Sequence, residues 1–195
     1  LAAGGAVDGG AGIVFHWPGH GESDGDPREL TMEELVAAGI GAADELLTRC
    51  GVGPLAVAGV RVGAVPAVLV ARGREADTLL LVEPDLEPDV HFAAIERSAR
   101  RTSLGRPLPP DWAAARFVPR LLRATPPPLG PLPTGSTGPG RCGVVRYEAS
   151  DPFDRAGVDE MTVPGTRRRR SPDHHAALCR RGVAWLVGER GDADG

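Results

Sequence analysis

Apolar residues along the first half of the chain fall into short continuous runs that are separated by polar, Gly-rich and Pro-rich segments. Each run is rich in β-formers and is four to six residues long, which is typical of a strand buried on both faces of a sheet. The predicted strands are Gly12 to Trp17, Leu55 to Ala58 and Thr78 to Val82.

Two helices are predicted between these strands. Thr31-Met-Glu-Glu34 has the pattern of a capping box, and Gly51 can end the helix that begins there. The second helix is predicted from Ala64 to Arg72. In the first helix the apolar positions recur every three or four residues, and they are Leu35, Ala38, Ala42, Leu46 and Cys50. Alternating strands and helices predict the α/β class, with a mostly parallel sheet and helices on both faces.

The second half of the chain begins with a Pro-rich segment and returns to strands. Residues 107–139 hold ten of the 19 prolines, so 105–140 is expected to be a cap or linker. Strands are predicted at Arg141 to Tyr147 and Glu160 to Val163, and a last helix at Asp173 to Val187. The packing residues expected on that helix are Ala177, Val183, Trp185 and Leu186. We expect one domain over 1–195, with a strand–helix core at 12–104, the Pro-rich segment, and C-terminal strands and helix at 141–187.

Composition narrows the classes of function. The 22 basic residues are all Arg, the formal net charge is −4, and no apolar run is long enough to span a membrane. This balance argues against nucleic acid as a partner. The odd number of cysteines favours reduced thiols in a cytoplasmic protein. Cys50, Cys142 and Cys179 lack the spacing of a metal site, so no metal and no cofactor is expected.

Two glycine-rich motifs resemble those of the α/β-hydrolase superfamily. The loop Pro18 to Gly25 (PGHGESDG) resembles the turn after that fold's fourth strand, and Val57 to Ala64 (VAGVRVGA) resembles its nucleophile elbow. Val163-Pro164-Gly165 resembles the approach to the catalytic His loop, and Pro172 to Leu186 the closing helix. The likeness is nearest to a subgroup with a G-x-R-x-G-A elbow, usually found near biosynthetic gene sets. It covers the fold from its fourth strand onward, which implies an N-terminally incomplete and degenerate member.

The resemblance implies an ester- or acyl-hydrolase lineage in which two of the three catalytic positions have changed. Arg61 stands where the nucleophile would be, and no Ser, Cys or Thr lies between Gly51 and Asp77. Thr166 stands where the catalytic His is expected, and only Asp151 matches the acid. Because a guanidinium cannot accept an acyl group, we expect no Ser-His-Asp catalysis.

Several functions are compatible with these residues. Arg61 could hold a small acyl or anionic molecule together with Gly59, Val62, Gly63 and His20, in an accessory role in biosynthesis. Arg61 could instead be paired with Asp151 or Glu83. Alternatively, the protein is a hydrolase or acyltransferase that uses Asp151 with His16 or His20, or a decayed fragment without function. Polar residues expected to be solvated or local rather than functional are Ser23, 167–170, His174 and His175.

The missing first strands have a consequence for partners. In the superfamily the third strand lies between the fourth and the fifth, and nothing before Gly12 can supply three strands. An open sheet edge is a site of association. We therefore expect that a protein partner or a second copy covers this edge.

Overall fold

The computed structural model describes residues 4–7, 10–19, 22–26, 30–86, 140–148, 150, 153, 157–164 and 172–186. These residues belong to two compact units, the first within 1–51 and 85–128 and the second within 52–84 and 129–195. The predicted Pro-rich cap lies outside the described residues. The single-domain organisation stays a prediction.

The first unit contains a two-stranded ribbon. Strand β1 (Gly4–Val7) pairs antiparallel with β2 (Gly10–Ile13), and the register Val7↔Gly10 leaves two residues between them. The prediction of a buried strand from Gly12 to Trp17 is therefore wrong, because β2 ends at Ile13 and Gly10–Gly12 are exposed. The physical reason is local pairing, since a two-residue connection closes a hairpin at a small entropic cost.

Helix α1 (Met32–Cys50) begins and ends as its sequence predicts. The Glu34 amide donates to the Thr31 Oγ1 at 3.2 Å, and the Thr31 amide donates to the Glu34 carboxylate at 2.7 Å. Gly51 follows the last turn with φ of 84°. The buried positions are Met32, Leu35, Gly39 and Ala43. The buried stripe thus shares only Leu35 with the predicted one.

The second unit is built on a four-stranded parallel sheet in the order β3-β4-β5-β6. Its strands are β3 (Ala56–Val60), β4 (Thr78–Val82), β5 (Arg141–Tyr147) and β6 (Asp159–Val163). Helix α2 (Ala64–Gly73) follows β3 after a 3-10 turn, and helix α3 (Pro172–Leu186) comes last. The parallel sheet predicted from the alternating pattern is confirmed.

Helices α2 and α3 cover opposite faces of this sheet. Gly59 of β3 lies against Ala67 of α2, whereas Gly143 of β5 lies against the indole of Trp185 on α3. The register places Gly59 and Gly143 on different faces, because Gly143 aligns with Leu80 and Gly59 with Leu81. The core under α3 is formed by Leu80, Val82, Val145, Tyr147, Met161, Val163 and Leu178.

Candidate functional site

The turn between β3 and α2 has the geometry of a nucleophile elbow. Strand β3 ends at Val60, a 3-10 turn covers Arg61–Gly63, and α2 starts at Ala64. Arg61 has φ of 53°, which lies in the left-handed backbone region that residues other than glycine rarely adopt. When a strand turns into a helix within three residues, the residue at the turn lies at the carboxyl end of the sheet. Ligands of parallel α/β sheets bind at this end.

The close approach of α2 to β3 requires glycine at position 59. A Cβ there would lie 2.6 Å from the Ala67 Cβ, 2.7 Å from the Gly63 carbonyl oxygen and 2.9 Å from the Ala64 Cα. All three atoms belong to the turn or to the first turns of α2, and none can swing away. The Gly spacing seen in the sequence therefore has a structural reason, which is the tight contact that holds Arg61 in its conformation.

The start of the helix presents backbone donors beside Arg61. The Ala64 amide donates to the Arg61 carbonyl, but no side chain caps the turn at Val60 or the helix at Gly63. The first amides of a helix have no acceptor within it, and they carry a partial positive charge. The Arg61 guanidinium adds a positive charge beside these amides.

Glu83 is a buried acid at the same edge of the sheet, and the sequence named it only as a possible partner of Arg61. Val60 and Val82 are register partners, so Arg61 and Glu83 follow neighbouring strands at the same level. Glu83 is only 3% exposed and has φ of 47°. No local signal in the sequence indicates this burial, because a Glu before a Pro is typical of a solvated turn.

The Glu83 carboxylate ties the end of β4 to the segment that leaves β5. Its Oε1 accepts from the Tyr147 amide at 2.7 Å and from the Ser150 hydroxyl at 2.9 Å. The Glu83 amide donates to the Val145 carbonyl at 2.8 Å. Burial raises the pKa of the Tyr147 phenol above its usual value, and the charges of Glu83 and Cys179 raise it further. The Oε1 atom of Glu83 thus bonds to the end of β5 and to the segment that follows it.

His16 and Ser23 help to hold a loop of the first unit. The Ser23 hydroxyl donates to the His16 carbonyl at 2.9 Å, and His16 Nδ1 accepts from the Glu22 amide at 3.3 Å. These contacts agree with the expectation that Ser23 has a local role. His16 Nδ1 is occupied as an acceptor in this arrangement, so a proton would have to be carried by Nε2.

Other residues named from the sequence cannot be placed. His20, Asp151, Thr166 and 167–170 lie outside the described residues, and so do the side chains of His174 and His175. Among the described residues, no group of three or more His, Cys, Asp or Glu could hold a metal ion. No described helix has the length and apolar character needed to cross a membrane.

Comparison with solved structures identifies the fold. The chain is similar to the NocB thioesterase domain, solved as a covalent complex with a fluorophosphonate nocardicin G analog. The TM-score is 0.56 at 17% identity, over 92% of this chain and 84% of that one. A carboxylesterase structure from the thaumarchaeon Nitrososphaera gargenis gives a TM-score of 0.47 at 14% identity, over 88% and 79%. No family model and no curated protein matches the sequence. The similarity to the NocB domain confirms the α/β-hydrolase type of fold.

Proposed function

We propose, with the α/β-hydrolase fold of this chain as the premise, that the protein binds a small acyl molecule bearing an anionic group at its elbow. In this proposal it does not hydrolyse that molecule by a Ser-His-Asp mechanism. The observation that carries the proposal is the presence of Arg61 at the turn of the elbow, where its backbone has φ of 53°. An accessory role in a biosynthetic pathway and a cytoplasmic location are parts of the same proposal.

The side chain at the elbow excludes the usual chemistry. A guanidinium stays protonated and has no lone pair available for attack on a carbonyl carbon. A shift of the turn by one or two residues would not supply a nucleophile, because the four flanking residues are Gly59, Val60, Val62 and Gly63. An enzyme of this fold without a nucleophile at the elbow keeps a binding site but loses the covalent step.

The elbow retains what an anion needs. A guanidinium offers a planar pair of donors that fits a carboxylate or phosphate, and the amides at the start of α2 add further donors. Glu83 follows the neighbouring strand, and its Oε1 accepts hydrogen bonds from the Tyr147 amide and the Ser150 hydroxyl. The acyl part of the proposed ligand rests on the fold similarity to a thioesterase domain that takes a fluorophosphonate analog.

Covalent labelling tests the catalytic half of this proposal. The protein is incubated with a fluorophosphonate probe and with a panel of nitrophenyl esters, and the NocB thioesterase domain serves as the positive control. We expect neither labelling nor turnover. Stoichiometric labelling of this chain would overturn the proposal. Ester turnover that is lost on Asp151→Ala and on His16→Ala or His20→Ala would support the alternative hydrolase.

Ligand binding tests the other half. Phenylacetate and its neutral counterpart phenylacetamide are titrated against the native protein, Arg61→Ala and Arg61→Lys, with Arg49→Ala as the control. Arg49 is an exposed arginine paired with Glu45 within α1. Loss of a charge-assisted pair costs about 1.5–3 kcal/mol, so Arg61→Ala should weaken phenylacetate binding roughly 10- to 100-fold. Equal affinities for the acid and the amide, or an unchanged Arg61→Ala, would contradict the proposal.

A further inference from the structure

Two neighbouring strands of the sheet end in residues with left-handed backbones. Arg61 has φ of 53° and Glu83 has φ of 47°. They follow Val60 and Val82, which are register partners, so the two strained residues lie one strand spacing apart at the carboxyl edge. Strain of this kind persists only where the surroundings hold it, and it clusters at functional sites. Glycine adopts such a backbone freely, so what Glu83 adds over a glycine is its carboxylate.

The carboxylate of Glu83 organises the turn that follows β5. Its Oε1 accepts from the Tyr147 amide at 2.7 Å and from the Ser150 hydroxyl at 2.9 Å. The Ser150 amide donates in turn to the Tyr147 carbonyl at 2.9 Å. One oxygen atom therefore holds both ends of the turn. Because Glu83 is only 3% exposed, its carboxylate can hold the turn but has little surface with which to contact a ligand.

A second carboxylate holds the same segment from the β6 side. Glu160 Oε1 accepts from the Phe153 amide at 3.3 Å and from Arg146 Nη1 at 3.1 Å. Arg146 is only 5% exposed, so its guanidinium anchors this acid from within the sheet. The segment after β5 is therefore tied at Ser150 to the residue that follows β4, and at Phe153 to β6.

The turn after β5 shares its edge of the sheet with the elbow. Arg61, Glu83 and the turn follow β3, β4 and β5, which are adjacent in the sheet, and parallel strands end at the same edge. Two strand spacings separate Arg61 from the turn, which is about 10 Å. A ligand whose anionic group is held at Arg61 and whose acyl part extends across Glu83 therefore meets the turn at Ser150, which is half-buried.

We propose that Glu83 is a positioning residue of this site. Through the Tyr147 amide and the Ser150 hydroxyl it holds the turn after β5 as the wall against which the acyl part of the ligand packs. The inference rests on the proposed function, because it assigns a role within the same site. Arg61 selects the anionic group, whereas Glu83 determines how well the turn fits the remainder of the molecule.

Replacing Ser150 with Ala separates these two roles, because it removes one bond to Glu83 and leaves every charge in place. Phenylacetate and phenylacetamide share their acyl part and differ in charge, so both are titrated against each variant by NMR. Glu83→Ala removes the acceptor of both bonds, whereas Glu83→Gln retains a carbonyl oxygen that can accept them. The control is Thr48→Ala, which removes an exposed hydroxyl that donates to the Asp44 carbonyl at 2.8 Å within α1.

We expect Ser150→Ala to weaken the binding of both ligands by the same factor, about three- to tenfold, because a hydrogen bond that orders the turn is lost. Glu83→Ala should weaken phenylacetamide binding at least as much, and Glu83→Gln should return its affinity to within about twofold of the native value. Thr48→Ala should leave both affinities unchanged. Circular dichroism at the titration temperature verifies that each variant is folded, so a loss of stability alone does not change these affinities.

Unchanged affinities in Ser150→Ala would overturn the inference, as would equal losses in Glu83→Gln and Glu83→Ala. A loss confined to phenylacetate would assign the effect to the charge at Arg61 and would also overturn the inference. Equal affinities of the native protein for the acid and the amide would overturn only the role of Arg61. Binding of neither ligand would overturn the proposed function and the inference together.

Discussion

Replacing Gly59 with Ala is expected to strain the elbow severely. The new Cβ would lie 2.6 Å from the Ala67 Cβ, whereas carbon atoms pack at about 3.5–4.0 Å. The Gly63 carbonyl and the Ala64 Cα also lie within 2.9 Å of it. The start of α2 must therefore move away from β3 by about an ångström.

The expected cost follows from the rigidity of these neighbours. Overpacking a core costs about 1–3 kcal/mol, and this site belongs at the upper end because no flexible side chain can yield. A loss of about 3 kcal/mol corresponds to a fall in melting temperature of roughly 6–12 °C for a chain of this size. Gly41→Ala is the matched control, because Gly41 is exposed within α1 and a Cβ there meets nothing within 4 Å. That change should stabilise the protein by about 0.5–1 kcal/mol.

Urea unfolding followed by circular dichroism and tryptophan fluorescence measures both variants, and coincident transitions justify a single free energy. Adding Ala67→Gly to Gly59→Ala removes the shortest of the three contacts. The double variant should therefore lose less stability than the sum of the two single changes. If the free energies of unfolding of Gly59→Ala and of the native protein differ by less than about 0.5 kcal/mol, the close approach of α2 to β3 does not determine the geometry of the elbow.

Two further predictions concern β5. Glu160→Gln should lower the free energy of unfolding by about 1–2 kcal/mol. Arg146 is only 5% exposed, and the change gives it a neutral partner in place of a carboxylate 3.1 Å away. The control is Glu45→Gln at an exposed ion pair, which should change the free energy of unfolding by less than about 0.5 kcal/mol. Equal losses of stability in the two variants would contradict this reasoning. Burial raises the pKa of the Cys142 thiol from 9.0 to about 11, so its stabilising effect should be complete below pH 9 and lost between pH 9 and 11. Below pH 9 a thiol reagent should modify two cysteines in the native protein and the third only in denaturant, and rapid modification of all three would refute the burial of Cys142. The two exposed cysteines are Cys50 and Cys179.

The sequence predicts the strands of the second unit well because their patterns have one interpretation. Thr78–Val82 and Arg141–Tyr147 are found with the predicted bounds, since each apolar run stands between turn residues and fills a covered sheet. The run from Gly12 to Trp17 is also short and apolar, but a neighbouring segment pairs with its start, and none of its residues is buried. Composition cannot distinguish these outcomes, because the partner of a strand is not encoded in the strand.

Small residues and long-range contacts limit the rest of the prediction. Helix α1 is rich in Ala and Gly, so the sequence does not show which of two adjacent small residues is buried. Ala42 was predicted to lie on the buried side, but Ala43 is the residue that is buried. Glu83 is more instructive for the site. A Glu before a Pro predicts a solvated turn, and its burial depends on donors 64 and 67 residues further along the chain. The elbow was predictable because its glycine spacing is local.

The left-handed conformation of Arg61 makes position 61 a favourable place to install new chemistry. The close contacts of Gly59 with Gly63 and Ala64 hold the backbone there, so any residue with a Cβ placed at the turn meets a strain of about 1–3 kcal/mol, as Arg61 does. A cysteine introduced at this point would sit at the start of a helix, where thiolates are favoured. The elbow of this protein is therefore a suitable attachment point for a spectroscopic label. Introducing a nucleophile there would require changes of side chains but no change of the backbone.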